Sequence, residues 1–475
     1  MAAIKKDNST VFKDNLVIIT SRFANDKKYG LSTEESNYIH VQLKNDKKLV
    51  TVNQLHRLLF VVIADDKAEA YIRNEKLRKA GNEIGGRLNE AKKTAVSITA
   101  ETNKSSDQLA LAEGMALGNY QFLLYRSKAA KEKHTLADIR ISGKANEKDI
   151  QELNHVVQAV IIARDLVNEP PNVLNAEELS ARFKKMGKDA GFSVEVFNKA
   201  KIVSLKMGGL LSVNRGSVDP PTFSILEYKP RTAKNKKPIV LVGKGVTYDT
   251  GGLSLKPTAN SMDMMKCDMA GAAAVGATLY AIAKAKLNVH VIGLVPATDN
   301  RPGFNAFAPG DVITMYDGST VEMLNSDAEG RMILADALHW AKKYKPELVI
   351  DLATLTGAAA NAIGPQGIVS MGTADPKTTT KLKTSGQEVY ERLAEFPFWD
   401  EYDDLLKSDV ADMKNIGGPQ AGAITAGRFL KRFTDYPYIH LDIAGPAFLT
   451  ARYNYQTKGG TGVGVRLLFD FLKNK

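Results

Sequence analysis

Apolar and polar positions alternate differently in two stretches of the chain. Over residues 1–150, the apolar runs at 16–20 and 58–63 have the length of strands, and the charged run 67–79 is rich in helix formers. From residue 150 onward, Ile150, Leu153, Val157, Val160 and Ile161 recur at helical spacing, and Pro170-Pro171 must end that helix. A helix over 151–168 closed in this way suits a joint between domains; an ordinary core helix within one domain is the alternative. Beyond residue 200, β-branched apolar runs (238–242, 289–295, 348–353) alternate with longer helical stretches (271–286, 331–344). Buried strands alternating with helices predict an α/β domain around a mixed, largely parallel sheet, with helices on both faces. The expected organisation is a smaller N-terminal α/β domain over 1–150 and a larger domain over 151–475. In sheets of this kind, ligands gather where loops leave the carboxyl ends of strands.

Composition changes this picture only at the margins. With 44% hydrophobic and 25% charged residues, the chain is not a disordered one. Its single cysteine, Cys267, excludes an intramolecular disulfide or a four-thiolate zinc site and fits a reducing, cytoplasmic setting. No apolar run approaches the roughly 20 residues that span a bilayer, and the first fifteen residues lack the apolar core of a signal peptide. Neither a membrane partner nor a leader is expected. The charge is uneven: residues 1–150 hold 26 Lys and Arg against 19 Asp and Glu, the rest 38 against 34. A basic surface admits nucleic acid as a partner. No RNA-binding aromatic motif, Cys/His finger or basic zipper accompanies it, so a solvated basic face is the preferred reading.

The chemistry concentrates in three loops of the larger domain. The strand at 238–242 feeds a glycine-rich loop carrying Lys244, Asp249 and Lys256, which lacks both the phosphate-loop and the dinucleotide patterns. The second loop puts Asp268 at the start of a helix of small residues. The third, LNSDAEGRM, puts Asp327 and Glu329 before another helix. If 325–329 is extended, those two side chains face one point. Taken singly, Asp268 and Asp327 read as helix caps and Lys244 as a solvated lysine. Taken together, four carboxylates at the strand-to-helix side of one sheet cannot converge as anions without compensation. Divalent cations compensate them, and hard oxygen donors suit Mg²⁺, Mn²⁺ or Zn²⁺.

At these residues the sequence resembles the leucyl aminopeptidase family, the cytosol aminopeptidases with a dinuclear metal centre and a hexameric assembly. NSDAEGR is close to the family signature NTDAEGR. ARDLVNEPPN, GGLLSVNRGS, VGKGVTYDTGG, PGDVITMYDGSTVEMLNSDAEGRMILADAL, DLATLTGA and HLDIAG also resemble family segments and follow in family order over most of 160–475. The first 150 residues carry no independent motif. Departures are Ser326 for Thr, Met332 for Leu and an apparent extra residue within 259–263; none removes a ligand.

The resemblance implies a metal-dependent exopeptidase, a hydrolase that releases N-terminal amino acids, preferably leucine-like ones. It implies Lys244, Asp249, Asp268 and Glu329 as ligands of a tightly held metal. Asp249, Asp327 and Glu329 would hold a more exchangeable one, with Asp249 and Glu329 bridging. Lys256 and Arg331 become the catalytic residues, Arg331 holding a bicarbonate ion. Met265, Asn325, Thr354, Gly357 and Ala444 fall at the pocket for the first side chain, although Met265 equally suits core packing. The two metals are expected to be Mn²⁺ or Zn²⁺, with Mg²⁺ or Co²⁺ admissible. The domain over 151–475 then becomes a dinuclear-metal peptidase domain, in a cytoplasmic homohexamer.

Elementary chemistry agrees with those roles. Lysine ligates only as a neutral amine, and nearby divalent charge with burial lowers its pKa. Two metals roughly 3.5–4 Å apart share a bridging water, activate it near neutral pH and polarise the scissile carbonyl. A charged Lys256 would stabilise the oxyanion, and an anion on Arg331 would carry the proton to the leaving amine. One methylene in an apolar pocket is worth only about 1–3 kcal/mol, so selectivity should be broad. No HExxH pair or GxSxG elbow supports a zincin or a serine hydrolase. Cys267 reads as a buried small hydrophobe rather than a nucleophile. A DNA-binding accessory role and the hydrolysis of Cys-Gly remain as alternatives from the basic first domain and from narrower enzymology.

Overall fold

The computed structural model describes every residue except Met1, Thr10, Val11 and Asn25, and only the backbone of Asp26. Backbone contacts divide the chain into two units, one of residues 1–161 and 451–458, the other of 162–450 and 459–475.

In the first unit, strands β1 (Ala3–Asp7), β2 (Asn15–Thr20), β3 (Leu49–Asn53), β4 (Leu58–Ile63), β5 (Ala95–Ala100) and β6 (Asp138–Ser142) form one sheet. Their order is β1-β6-β5-β2-β4-β3, parallel except for the edge strand β3. Helices α1 (Thr33–Lys44), α2 (Ala70–Glu90) and α3 (Ser105–Gly118) connect them, with a short turn, α4 (Ala129–Glu132), before β6. Leu16, Ile18, Val50, Leu59 and Val61 pack with Ile39 of α1 in a core of their own. Helix α5 (Glu147–Asn168) is unbroken, since no residue within it interrupts the backbone ladder before Pro170. The contact division falls inside this helix, after Ile161, rather than at the 150/151 boundary read from the sequence. The return of 451–458 to the first unit has no counterpart in the sequence pattern: Tyr455 donates its hydroxyl to buried Glu75 at 2.8 Å, and Arg452 donates to the Gly118 carbonyl at 2.7 Å.

The second unit begins with α6 (Ala176–Ala190), β7 (Ser193–Phe197), α7 (Lys199–Ser204), α8 (Gly208–Asn214) and β8 (Thr222–Tyr228). Then come β9 (Ile239–Gly243), β10 (Gly245–Asp249), α9 (Ala270–Lys284), β11 (Val291–Asn300), β12 (Asp311–Thr314), β13 (Thr320–Met323), α10 (Glu329–Ala341) and β14 (Leu348–Ala353). The chain closes with α11 (Gly357–Ile363), β15 (Ile368–Gly372), α12 (Pro376–Glu388), β16 (Leu393–Glu395), β17 (Met413–Lys414), α13 (Gly422–Lys431), β18 (Tyr438–Asp442) and α14 (Val465–Lys473).

The main sheet runs β16-β15-β18-β14-β9-β11-β8-β7, and β10 pairs with the second half of β11. The central strands β18, β14, β9 and β11 are mutually parallel, while β15, β8 and β7 introduce antiparallel pairs. This is the mixed, largely parallel sheet that the sequence pattern predicts. Because the four central strands run the same way, the loops after Gly243, Ala353 and Asp442 leave at one edge. Helix α9 lies close against that edge: a Cβ on Gly271 would stand 2.0 Å from the Leu352 carbonyl oxygen, a distance no side chain tolerates. Elsewhere Phe197, Phe223 and Trp340 stack and cross within the main apolar cluster, at centroid distances of 5.3–5.9 Å. None of the described helices is long and apolar enough to cross a membrane.

Candidate metal centre

Lys244 is the first residue after β9, and Asp249 ends β10, the strand that continues from it. Asp268 follows a short 3₁₀ turn, Met262–Cys267, and precedes α9; Glu329 is the first residue of α10. Neither α9 nor α10 receives a side-chain cap, so Asp268 and Asp327 are not spent on capping. The expectation that 325–329 is extended fails. A turn replaces it, with the Ala328 N–H donating to the Asn325 carbonyl at 3.1 Å and the Asn325 side chain accepting from the Asp327 N–H at 2.8 Å. Asp327 and Glu329 approach the cluster through that turn and not through strand alternation.

The carboxylates do converge. Asp249, Asp268 and Glu329 are buried, and each offers an oxygen such that the three lie within 4.8 Å of one another. Lys244 is buried and holds its Nζ 2.8 Å from Asp268 Oδ1, 2.8 Å from Glu329 Oε1 and 2.9 Å from the Thr354 carbonyl. It is not a solvated lysine. A Cβ on Gly330 would meet the Lys244 Cε at 2.5 Å, so this glycine opens the space the lysine stem occupies. Lys256 stands on the other side, 2.9 Å from Asp249 Oδ2 and paired with Asp327 Oδ1.

The two cations do not satisfy the cluster. Asp268 Oδ2 and Glu329 Oε2 are buried with no hydrogen-bond partner, a costly state for carboxylate oxygens. Burial, with the negative charges of Asp249 and Glu329, pushes the Asp327 carboxyl up to about 7 against the pull of Lys256. Burial raises Asp268 well above the usual carboxylate range, with Lys244 opposing and Glu329 and Asp249 assisting. For Lys244 and Lys256 burial works downward, but the surrounding carboxylates prevail and favour the ammonium. A site that holds protons on its carboxylates and leaves buried oxygens unpaired fits hard divalent cations bound through oxygen.

Several residues that the sequence did not single out hold these groups in place. Asn300, at the end of β11, donates through one amide nitrogen to Asp249 Oδ1 and to the Ser326 carbonyl, both at 2.9 Å. Asn415 is fully buried. It accepts the Leu324 N–H at 2.9 Å, donates to the Asn325 carbonyl at 2.8 Å, and its own carbonyl accepts Arg331 Nη1 at 2.6 Å. Arg331 is buried with Nε unpartnered, and burial pushes its guanidinium down to about 10. Only strand adjacency in the final fold links these asparagines to the site, and no local motif marks them.

The pocket candidates are distributed unevenly. Thr354 donates its hydroxyl to Asp268 Oδ1 at 2.8 Å, directly against the cluster. Met265 is half-buried in the 3₁₀ turn, and its carbonyl accepts the Asp268 N–H at 3.2 Å. Gly357 is exposed at the start of α11, and Ala444 is half-buried after β18. Cys267 is buried, its thiol pushed up to about 12 by burial, as suits an inert small hydrophobe.

Comparison with known proteins agrees with this geometry. The model of the cytosol aminopeptidase family catalytic domain matches residues 161–469. The chain belongs to the cytosol aminopeptidase family. That family is one of metal-dependent peptidases. Among cytosol aminopeptidases, the chain is similar to a probable member from Chlorobaculum tepidum, 56% identical over 314 residues, covering 66% of this chain and 62% of that one. It is similar to another from Chlorobium limicola, 46% identical over 390 residues and covering 79% and 76%. The match thus spans less than two thirds of the first relative's length. Among solved structures, a variant of tomato leucine aminopeptidase superposes with a TM-score of 0.88 at 28% identity, over 100% of this chain and 97% of that one. The bottromycin maturation enzyme BotP in complex with Mn gives 0.85 at 29% identity, over 97% and 99%.

Proposed function

We propose that this cytosol aminopeptidase family member releases N-terminal amino acids from peptides, preferably leucine-like ones, with two divalent cations per subunit. The observation that carries the reading is the convergence of Asp249, Asp268 and Glu329 with buried carboxylate oxygens left unpaired. Lys244, Asp249, Asp268 and Glu329 would hold one cation, and Asp249, Asp327 and Glu329 the other, as Mn²⁺ or Zn²⁺, with Mg²⁺ or Co²⁺ admissible. When bound, such a pair supplies Lewis-acid polarisation of the scissile carbonyl and activation of the attacking water. Lys244 must surrender a proton to ligate, so metal uptake releases protons and strengthens with pH.

The remaining roles belong to the chain itself. Lys256, less deeply buried than Lys244 and kept charged by Asp249 and Asp327, is the donor for the developing oxyanion. Arg331 keeps its Nη1 on the Asn415 carbonyl and leaves Nε free for a bicarbonate, the acceptor for the nucleophile's proton and its carrier to the leaving amine. Asn325, Thr354, Gly357, Ala444 and Met265 form the wall for the first side chain. A cytoplasmic setting agrees with the single, buried thiol.

The free α-amine of the substrate is what restricts cleavage to one end, because it supplies a neutral donor to the site. Leucyl-peptides should therefore be hydrolysed stepwise and their N-acetylated counterparts should resist by at least a hundred-fold in kcat/KM, read by chromatography of released amino acid. Equal cleavage of blocked peptides would overturn the exopeptidase reading. The proposed assembly is a homohexamer; light scattering is expected to give a mass near six chains, and an active, stable monomer would refute it.

A further inference from the structure

A second buried polar cluster runs along β14 and β18 to the carboxyl end of β18, and the roles above leave it unused. Tyr438, His440 and Asp442 alternate along β18 and so share one face of the strand. Asp351 stands opposite His440 in β14. Its Oδ1 lies 2.8 Å from His440 Nδ1, and its Oδ2 accepts the Tyr438 hydroxyl. Asp351, Tyr438, His440 and Asp442 are all fully buried, at 1% exposure or less. A charge in such a position is costly unless it is both paired and hydrogen-bonded.

Asp442 is bonded from two directions. Its Oδ1 accepts the N–H groups of Leu355 and Ala444, each at 3.1 Å, and its Oδ2 accepts the Thr356 hydroxyl at 2.7 Å. Beside it, the Ile443 N–H donates to the Ala353 carbonyl at 2.8 Å. One carboxylate thus ties the loop after β14, residues 354–357, to the loop after β18, residues 443–444. The first of these loops also reaches the metal cluster, through Thr354 to Asp268 and through the Thr354 carbonyl to Lys244. Against the opposing effect of burial, Asp351 and Asp442 hold the His440 imidazole toward its cationic form, which supplies the countercharge.

We propose that Asp442 is a positioning residue for side-chain selection: by clamping loop 354–357 to loop 443–444 it sets the width of the pocket for the substrate's first side chain. This rests on the proposed function, in which Thr354, Gly357 and Ala444 form that pocket. A loosened clamp lets the two loops separate, so it weakens and broadens recognition while the cations stay bound.

The test uses the metal-loaded full chain and the variants Thr356→Val, Thr356→Ser and Asp442→Asn, assayed on alanine, leucine and phenylalanine amides with metal content measured alongside. Thr356→Val removes the hydroxyl arm at similar shape, and it also removes the bond from the Ala359 N–H that starts α11. Thr356→Ser keeps both. Asp442→Asn leaves the Ala359 bond and both N–H bonds to Oδ1 in place and removes the charge, so any effect it has belongs to the clamp and not to the helix start. For Thr356→Val we expect KM for the preferred amide to rise at least five-fold, with kcat changed less than two-fold and the preference over alanine reduced at least three-fold. Thr356→Ser should restore parent values, Asp442→Asn should fall between, and metal content should not change. Unchanged KM and preference in both Thr356→Val and Asp442→Asn would overturn the proposal, as would a loss of kcat that follows loss of metal. A loaded parent chain inactive on every amide would overturn the proposed function itself, and this inference with it.

Discussion

Exhaustive removal of divalent cations is expected to abolish release of N-terminal residues, and Mn²⁺, Co²⁺ or Zn²⁺ to restore it. In the proposed reaction the cations activate the attacking water and polarise the scissile carbonyl, and Lys244 and Lys256, paired with the cluster's carboxylates, supply neither function. Full turnover in verified metal-free protein would overturn the proposed reaction. Metal removal should also leave a signature in stability. In the metal-free chain Asp327 titrates near 7 and Asp268 is raised as well, so the folded state holds protons that the unfolded state releases at ordinary carboxylate pKa values. The folded state then binds more protons over that window, and stability falls as pH rises from about 4 through about 7. The raised lysines titrate above it and do not contribute there. With cations bound, the carboxylates are ionised and paired, and the penalty disappears. The gap in Tm between loaded and chelated protein is therefore expected to widen from pH 5 to pH 8; a gap that narrows would contradict the assignment of Asp327 and Asp268.

Glu329→Gln should cost far more than Arg331→Ala, on the order of 10³-fold or more in kcat/KM against about 10–100-fold. Glu329 is 1% exposed, lies against Lys244 and has Oε2 unpartnered; an amide there removes a ligand shared between both proposed cations and sets an N–H group in a site built for charge. Arg331 acts through an anion that water can partly replace. Its loss also frees the Asn415 carbonyl, a smaller structural cost. Added bicarbonate should stimulate the parent more than the Arg331 variant. Equal losses in both variants, with metal retained in each, would refute this division of labour.

Much of the candidate site is legible in the sequence because its proposed ligands sit in short segments whose local pattern carries the chemistry. The strand at 348–353, the helix of small residues from 270 and the three loops with Lys244, Asp249, Asp268 and Glu329 are all set by residues within one or two turns of each other. Where the structure departs from that pattern, local and distant bonds act together. The segment 325–329 turns on bonds from the Ala328 and Asp327 N–H groups to Asn325, and Asn415, 90 residues away in sequence, holds the Asn325 backbone from the other side.

By itself the sequence determined the alternation of strand and helix, the family and the candidate residues for cation binding, since these depend on periodicity and on side-chain type over short distances. Only the tertiary structure decided how those groups are aimed. Asn300 reaches Asp249 across 51 residues, Thr354 reaches Asp268 across 86, and Asp442 gathers Leu355 and Thr356 across 87 and 86. The Asp442 bonds exist because β18 and β14 are neighbours in one sheet, the Asn300 bond because β10 pairs with β11, and the Thr354 bond because the start of α9 packs against the end of β14. Strand order is a property of the whole packed chain: the partner of a buried polar group is whatever the sheet brings within hydrogen-bond reach, and no local stretch of sequence encodes it.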